Sequence, residues 1–447
     1  MVKRFCSIVL VLLSVQTVRA QKSVWTFQQC LDTAIQRNIS VNQTRLSNEI
    51  NKIDLKQSKA NRIPGLSANA SEGFSFGRSI DPTTNQYVQE DYNSTSFSVN
   101  GNINLFNGFQ NNRIILQNKM NMDAGMSDIE KAKNDVILNI TTAYLQVLLY
   151  YEILDAAKSQ AQSTVTQVDR TQKLVSAGKV PELNLYQIQS QLATDNLSVV
   201  NAQSNLDLAR VTLMQFMEVP VVDSFDVVKP DLSEPSGVLL QSNSDIYRKA
   251  LTIMPEITSA SIRTNSALMG IKIYEGARWP RLNLNAGVNT NYASRASKGT
   301  FQNPQSYPFQ EQVWDNLSQS IGLNLAIPIY SNRQIKSNIE RAKINAMTTQ
   351  LNEQNTRNLL RKTIEQAYTD LKNSLKKFEA SKDQYTAAEV SYKSIEKKYN
   401  VGLVTAIDYL VEKNNFTQAQ SNVIQSKYSY IFKTKILDFY QGNTIKL

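Results

Sequence analysis

The sequence predicts a mainly helical protein in which long coiled-coil helices carry a small number of membrane strands. Three observations predict it: apolar residues recur every seven positions over long segments, four shorter segments alternate apolar and polar residues, and this arrangement occurs twice in the 447-residue chain. Seven-residue periodicity is typical of helices that supercoil around their neighbours. Alternation with period two is typical of strands that have one apolar and one polar face. Together these patterns predict helical hairpins with β-hairpins inserted between them.

The first residues have the composition of a secretory signal. A basic start, MVKR, precedes an apolar run from Phe5 to Val15, and Val18 and Ala20 supply the small residues of a cleavage site. The run is shorter than the about 20 residues that a membrane-spanning helix needs. We therefore expect residues 1–20 to be removed and the mature chain to begin at Gln21. The rest of the sequence has no run of about 18 apolar residues, so any membrane crossing has to be made by strands.

The composition argues against an enzyme and against nucleic-acid binding. The chain contains no His, so the usual acid–base group and the commonest zinc ligand are missing. Only Cys30 remains after cleavage, and no G-x-S-x-G elbow or metal-ligand cluster is visible. The net charge of +10 is spread over the chain without a dense basic cluster. We expect no catalytic residues, no metal and no cofactor.

An internal duplication organises the chain. Phe106 of LFNGFQNNR aligns with Tyr330 of IYSNRQIKS, and Gly178 aligns with Gly402, in both cases 224 residues later. Every heptad position that we compared at this offset is apolar in both halves. The two halves are therefore expected to have the same fold. We divide the chain into residues 21–218, a Pro- and Ser-containing connecting segment at 219–243, and residues 244–447.

Each half is predicted to contain four parts in the same order. A first helix ends before a proline, a β-hairpin follows, and a helix of roughly 100 Å comes next, at 1.5 Å per residue. A glycine then reverses the chain, and a return helix completes the half. The expected ranges are 26–61 and 244–276 for the first helix, 66–105 and 282–327 for the hairpin, 110–176 and 334–400 for the long helix, and the ends of the return helices near 216 and 440.

The strands are the feature that an ordinary coiled coil or filament does not explain. In Phe97 to Leu105, for example, the odd positions are apolar except for a glycine and the even positions are Ser or Asn. A soluble half-buried sheet gives the same alternation. However, small closed barrels need about eight strands, and lipid does not tolerate the open edges of four. If these strands cross a membrane, several chains must share one barrel.

The chain resembles the TolC family of outer-membrane factors over nearly its whole mature length. The motifs are WTFQQCLDTAIQRN near the start, LFNGFQNNR at the first strand-to-helix junction, and GLVTAIDYL from Gly402; the loop GRSIDPTTNQY resembles relatives from Bacteroidetes-type bacteria. The resemblance implies a trimer with a twelve-stranded β-barrel in the outer membrane and an α-helical tunnel through the periplasm. It also implies a passive exit duct for a tripartite efflux or type I secretion system. An inner-membrane pump and a periplasmic adaptor would be its partners.

The resemblance also indicates where the channel closes. The family pattern around the second-half turn has a Tyr three residues before the glycine and an Asp six residues after it, which Tyr399 and Asp408 match around Gly402. A second acidic residue, Glu412, follows at helical spacing. We therefore expect Asp408, Glu412 and Tyr399 at a constriction, with Tyr399 hydrogen-bonding across to a neighbouring helix. Gly178 and Gly402 are expected to turn the chain at the periplasmic tip.

This sequence departs from the family pattern at three positions of the closing latch. The family's second Asp is Val411, its Arg is Val404, and its first-half Asp is Asn184. The latch is therefore expected to be only partly present. Asp408 could instead be a helix-start carboxylate that interacts with the helix dipole. For the whole chain, the alternative is a periplasmic coiled-coil adaptor or scaffold, which would fractionate with soluble proteins.

Overall fold

The computed structural model describes residues 24–80, 85–89, 91–230, 242–300 and 303–447. The predicted signal at 1–20, the cleavage site before Gln21 and residues 231–241 of the connecting segment lie outside these ranges.

The helices of the two halves have the same order and the same lengths. Matching helices contain 11, 22, 67 and 35 residues in each half. They are α1 (Phe27–Arg37), α2 (Ile39–Ala60), α3 (Gln110–Ser176) and α4 (Glu182–Phe216) in the first half, and α5 (Asn243–Ile253), α6 (Pro255–Gly276), a short additional α7 (Phe309–Asp315), α8 (Gln334–Asn400) and α9 (Ala406–Tyr440) in the second.

Each first helix, expected to be continuous, is interrupted once. Asn38 leaves the helical conformation at φ −54° and ψ 125°, and its side chain accepts a hydrogen bond from the Val41 amide at 3.2 Å. In the second half Met254 is extended, at φ −75° and ψ 123°, because the ring of Pro255 disfavours the helical region for the preceding residue. The long helices have the ranges expected from the sequence, 110–176 and 334–400.

The strands of the described residues form one four-stranded sheet and three small pairs. In chain order they are β1 (Val24–Trp25), β2 (Gly65–Ser75), β3 (Arg78–Ile80), β4 (Tyr87–Gln89), β5 (Tyr92–Phe106), β6 (Asp226–Val227), β7 (Arg281–Ala293), β8 (Ser297–Thr300), β9 (Asn303–Ser306) and β10 (Ser318–Ala326). The four-stranded sheet has the order β10-β7-β5-β2 and is antiparallel throughout, so β5 and β7 join the hairpins of the two halves. The small pairs are β1 with β6, β3 with β4, and β8 with β9.

The chain separates into two compact units that do not coincide with the two repeats. The helical unit takes in the described residues up to 46 together with 127–258 and 355–447, and the sheet unit comprises 47–126 and 259–354. Each unit therefore contains matching parts of both halves. The helical unit contains the packed apolar clusters of the chain, whereas the sheet unit contains the four-stranded sheet.

Within the helical unit, the connecting segment is attached to the long helix α3. Its strand β6 pairs in parallel with β1, and the hydroxyl of Tyr144 donates to the Val228 carbonyl at 2.6 Å. Asp226 accepts hydrogen bonds from Tyr151 and from Arg210, whose guanidinium lies over the Tyr151 ring. One 18-residue window of α3 is apolar enough to cross a membrane by length and composition, but half of it is buried inside the fold. Core helices pass the same test, so this window does not indicate a membrane span.

Candidate channel site

The register of the sheet separates its apolar and polar residues onto opposite faces. Residues paired across an antiparallel sheet point to the same side. Ile103 pairs with Leu284, which pairs with Leu323, and all three are apolar. One step along β5, Asn102 pairs with Asn285, which pairs with Gly322. The alternation seen in each strand is therefore in phase across all four.

Both faces of this sheet are exposed in the single chain. On the apolar face Leu66 is 80% exposed, Ile321 78% and Leu323 67%, although burying such side chains stabilises a protein in water. On the polar face Asn69 and Asn102 are exposed. Aromatic side chains lie near both ends of the sheet, as they do in the interfacial girdles of outer-membrane barrels: Phe106, Phe109, Trp279 and Tyr330 at one end, and Phe74, Phe76, Tyr292 and Phe309 at the other. The arrangement suits a wall with lipid on one side and water on the other.

Strand β7 continues past the last residue that pairs with β10, and α7 contacts this part, residues 290–293. The buried Gln312 side chain accepts from the Ala293 amide at 3.0 Å and donates to the Ala293 carbonyl at 3.1 Å. Thr290 donates to the Val313 carbonyl at 2.7 Å, and Asn316 donates to the Asn291 carbonyl at 2.8 Å. The helix thus satisfies backbone groups that a longer β10 would otherwise pair.

The two turn glycines have left-handed backbone conformations. Gly178 has φ +67° and Gly402 has φ +77°, a region that glycine adopts without the steric cost of a Cβ. The Leu403 amide donates to the Lys398 carbonyl and the Gly402 amide to the Tyr399 carbonyl, at 2.9 and 3.0 Å, and the first-half turn repeats this pair of bonds. Such pairs define the Schellman ending of a helix.

Asp408 lies in the first turn of α9 and takes part in a capping box. Its carboxylate accepts from the backbone amide of Thr405 at 3.1 Å and from the Thr405 hydroxyl at 2.7 Å, while its own amide donates to that hydroxyl at 3.2 Å. These bonds hold the pKa of the exposed Asp408 carboxyl below its ordinary value of 3.8. The residue that matches Thr405 at the start of α4 is Pro181, which has no capping side chain.

Glu412 and Tyr399 each have a partner within their own chain. The Glu412 carboxylate accepts a hydrogen bond from the Ser391 hydroxyl of α8 at 2.9 Å. Tyr399 is buried, and its ring stacks on that of Tyr409 with centroids 4.9 Å apart. The three predicted constriction residues thus lie along one end of the α8–α9 hairpin. Within the chain Tyr399 packs through its ring, and its hydrogen bond to a neighbouring helix stays a prediction.

The stack at Tyr399 continues along the α8–α9 hairpin. Tyr409 also contacts Tyr392, and Tyr392 stacks on Phe416 with centroids 5.1 Å apart. The positions 224 residues earlier carry aliphatic side chains, Val168, Val175, Leu185 and Leu192. Aromatic pairs contribute more stability than the apolar area that they bury accounts for. The two helices of the second-half hairpin therefore pack more stably near their turn than those of the first-half hairpin.

A buried ion pair that the sequence analysis missed joins the two halves. The Lys413 ammonium is fully buried, 2.6 Å from the Asp195 carboxylate, and also contacts the Thr164 hydroxyl. Asp195 accepts a further bond from Gln191 at 2.9 Å. Burial lowers the pKa of Lys413, opposed by its bond to Asp195. The signal was present in the sequence: Lys413 is four residues after Tyr409 and three before Phe416, and this spacing places it on the apolar stripe.

Comparisons with known proteins assign both halves to the same family. The sequence model of the family described as outer membrane efflux protein matches residues 30–217 and 246–440. The outer membrane protein TolC of Escherichia coli is 23% identical over 352 residues, 76% of this chain and 67% of TolC. The outer membrane efflux protein BepC of Brucella suis is 22% identical over 410 residues, 91% of this chain and 83% of BepC. The solved outer-membrane channel OprN has the same fold, with a TM-score of 0.75, 15% identity, and 94% of this chain and 90% of OprN covered.

Proposed function

Because the chain belongs to the outer membrane efflux protein family, we propose that it is the outer-membrane exit duct of a tripartite efflux or type I secretion system. Family membership makes it an outer-membrane efflux channel that extends into the periplasm, and not an enzyme. Its role in a tripartite assembly is passive: an inner-membrane pump and a periplasmic adaptor deliver the solute, and the channel conducts it. A periplasmic coiled-coil adaptor, the alternative, accounts for the helices but not for the two-faced sheet.

The sheet carries the proposal of a shared barrel. Strands β2 and β10 lie at its two edges, and an open edge in lipid leaves backbone groups without partners. Pairing β10 of one chain with β2 of the next closes the sheet without any new element. Three chains then supply twelve strands, the number that the family resemblance implies. The apolar face contacts lipid and the Asn- and Ser-rich face contacts water.

Exposed apolar side chains beside the two turns support the proposal that an adaptor binds there. Val401 is 70% exposed, Leu403 74% and Ile407 59%, all next to the Gly402 turn. Leu183 and Tyr186, near the Gly178 turn, are also exposed. Apolar side chains clustered at the end of a helical hairpin are typical of a protein contact site. We assign the adaptor contact to these turns.

The constriction is placed at the same end. Asp408 and Glu412 are four residues apart and share one face of α9, so threefold symmetry would bring six carboxylates to one opening. Rings of acidic side chains favour cations over anions.

An adaptor capture experiment tests the tripartite role. A periplasmic adaptor from the same organism is tagged and used to capture the detergent-solubilised channel. Leu403→Asp places a charge in the apolar contact and should reduce capture at least tenfold, about 1.4 kcal/mol. Leu359→Asp, an exposed position in α8 of the same helical unit far along the chain from the turns, is the matched control and should leave capture unchanged. Equal capture of both variants would contradict docking at the turns.

A further inference from the structure

We infer that the barrel wall of this channel is indifferent to the sign of a solute's charge, so that it admits hydrophilic anions and cations alike. The inference rests on the proposed function, which places the polar face of the sheet against water. It goes further because it assigns the class of cargo that the barrel accepts and leaves any charge selection to Arg281 at the end of the sheet and to groups outside the four strands.

The polar face is a regular array of neutral hydrogen-bonding groups. Its residues pair in rows across β10, β7, β5 and β2, and each row contains at least one Asn. The rows are Ser318, Asn289, Ser98 and Asn69; Ser320, Gly287, Asn100 and Ser67; Gly322, Asn285, Asn102 and Gly65; and Asn324, Asn283 and Asn104.

The side chains of this face bond to one another. The Asn104 amide donates to the Asn283 carbonyl oxygen at 2.8 Å, and the Ser318 hydroxyl donates to the Asn289 side chain at 2.8 Å. The hydroxyls of Ser71 and Ser96 are 2.7 Å apart. An amide is a donor and an acceptor, and a hydroxyl can act as either. The wall can therefore hydrogen-bond a passing carboxylate as well as a passing ammonium group.

The charged residues of the four strands, all of which the structure describes, are Glu72 and Arg281. Glu72 occupies an apolar-face position opposite Thr95, and its carboxylate accepts from Thr95 and from Asn93. Arg281 is the first residue of β7, opposite Ala326 at the end of the sheet, and the alternation puts it on the polar face, two residues before Asn283. The rows between the ends of the sheet thus carry no formal charge, and Debye screening over about 10 Å at 0.1 M salt limits the reach of Arg281 into them.

The cargo class follows from this neutrality. Selectivity filters discriminate by rings of like charge or by tight coordination, and charged clefts raise the local counter-ion concentration by about tenfold or more. A neutral amide and hydroxyl wall creates no such field. It is wetted readily and offers apolar solutes no surface to adhere to.

Paired thiol reagents measure the electrostatic potential at the wall directly. Asn102→Cys, in trimers reconstituted into lipid vesicles, is treated with a trimethylammonium and with a sulfonate methanethiosulfonate of equal length. The ratio of the two reaction rates is divided by the same ratio for a free thiol in solution. We expect this quotient to be near one. Asn285→Cys should give the same value, and it replaces Asn102→Cys if that variant assembles poorly. Wild-type protein is the background, because its Cys30 is buried.

Two other outcomes would overturn the inference, and they are distinguishable. A quotient shifted by about tenfold toward either reagent would show a charged wall while leaving the channel function intact. Reaction at Ile103→Cys, on the apolar face, with none at Asn102→Cys would show that the polar face is not the water-filled face. In that case the proposed barrel itself would fail.

Discussion

Asp408 has a local task that is independent of any channel assembly. Its carboxylate completes the capping box at the start of α9, and the bonds to Thr405 lower its pKa. A depressed pKa in the folded state means that the cap contributes stability above the ordinary value and loses it as the pH falls through the lowered one. Repulsion among carboxylates in a trimer would act in the opposite direction. The two roles, cap and constriction charge, can therefore be separated by changing the charge alone.

Asp408→Asn makes this separation, because an Asn oxygen can still accept from Thr405 without carrying charge. We expect the thermal stability of α9 to change little and the preference of the channel for cations to fall. Asp408→Ala, which removes both functions, should lower both. Reversal potentials across a KCl gradient in planar bilayers measure the preference. If Asp408→Ala leaves cation preference and divalent-cation block unchanged, Asp408 is only a capping residue and the constriction lies elsewhere.

The Lys413–Asp195 pair predicts an asymmetric response to mutation. Asp195→Ala leaves an ammonium group buried without its carboxylate, which typically costs about 3–5 kcal/mol. Replacing both partners, Lys413→Met with Asp195→Leu, removes both charges together and should cost less than the single change. Thermal unfolding followed by far-UV circular dichroism, at one fixed protein concentration, compares the variants. A double variant less stable than Asp195→Ala would show that the pair itself provides the stability.

Among the elements, the sequence predicted best those whose determinants are local or periodic. The heptad pattern runs to the C-terminal ends of α3 and α8, their first residues follow the predicted hairpins, and glycines at 178 and 402 indicated the reversals. The alternation predicted the four main strands because each strand has one apolar face and one polar face.

Elements that depend on distant partners were missed. Strand β1 is two residues long and exists because β6, about 200 residues later, pairs with it. The short α7 is held by Gln312 bonding to the Ala293 backbone, a contact that no periodicity indicates. The ion pair of Lys413 was missed because its partner Asp195 is on another helix. The Tyr399 stack likewise depends on Tyr409, across the turn.

The face assignment of the strands makes a paired prediction. Ile103→Arg and Leu323→Arg place a charge on the apolar face, which should cost about 2–4 kcal/mol if the site lies at the bilayer midplane. Asn102→Arg, one residue along β5 on the polar face, should insert normally because its side chain reaches water. The yield of folded protein in the outer-membrane fraction measures insertion. Equal yields of all three variants would show that the faces have been assigned the wrong way or that the sheet is not in lipid.

At the scale of the whole molecule, the two edges of the sheet determine the assembly. Each of β2 and β10 is paired on one side only, and an exposed edge readily pairs with another chain. Uncontrolled pairing would give open polymers, whereas a heterologous contact whose rotation closes gives a ring. Curvature into a ring of three chains satisfies both edges with twelve strands.

We therefore expect detergent-solubilised protein to be a trimer that stays intact on dilution, because each edge pairing buries a row of backbone hydrogen bonds in an apolar surrounding. Light scattering coupled to size-exclusion chromatography gives the protein mass within the detergent micelle. A proline at Ile321, in the edge strand β10, removes an amide donor from the ladder and should shift the population toward smaller species. A stable monomer with native helicity in the unmodified protein would contradict the shared barrel, because a four-stranded sheet with two free edges would leave unpaired backbone groups in the lipid.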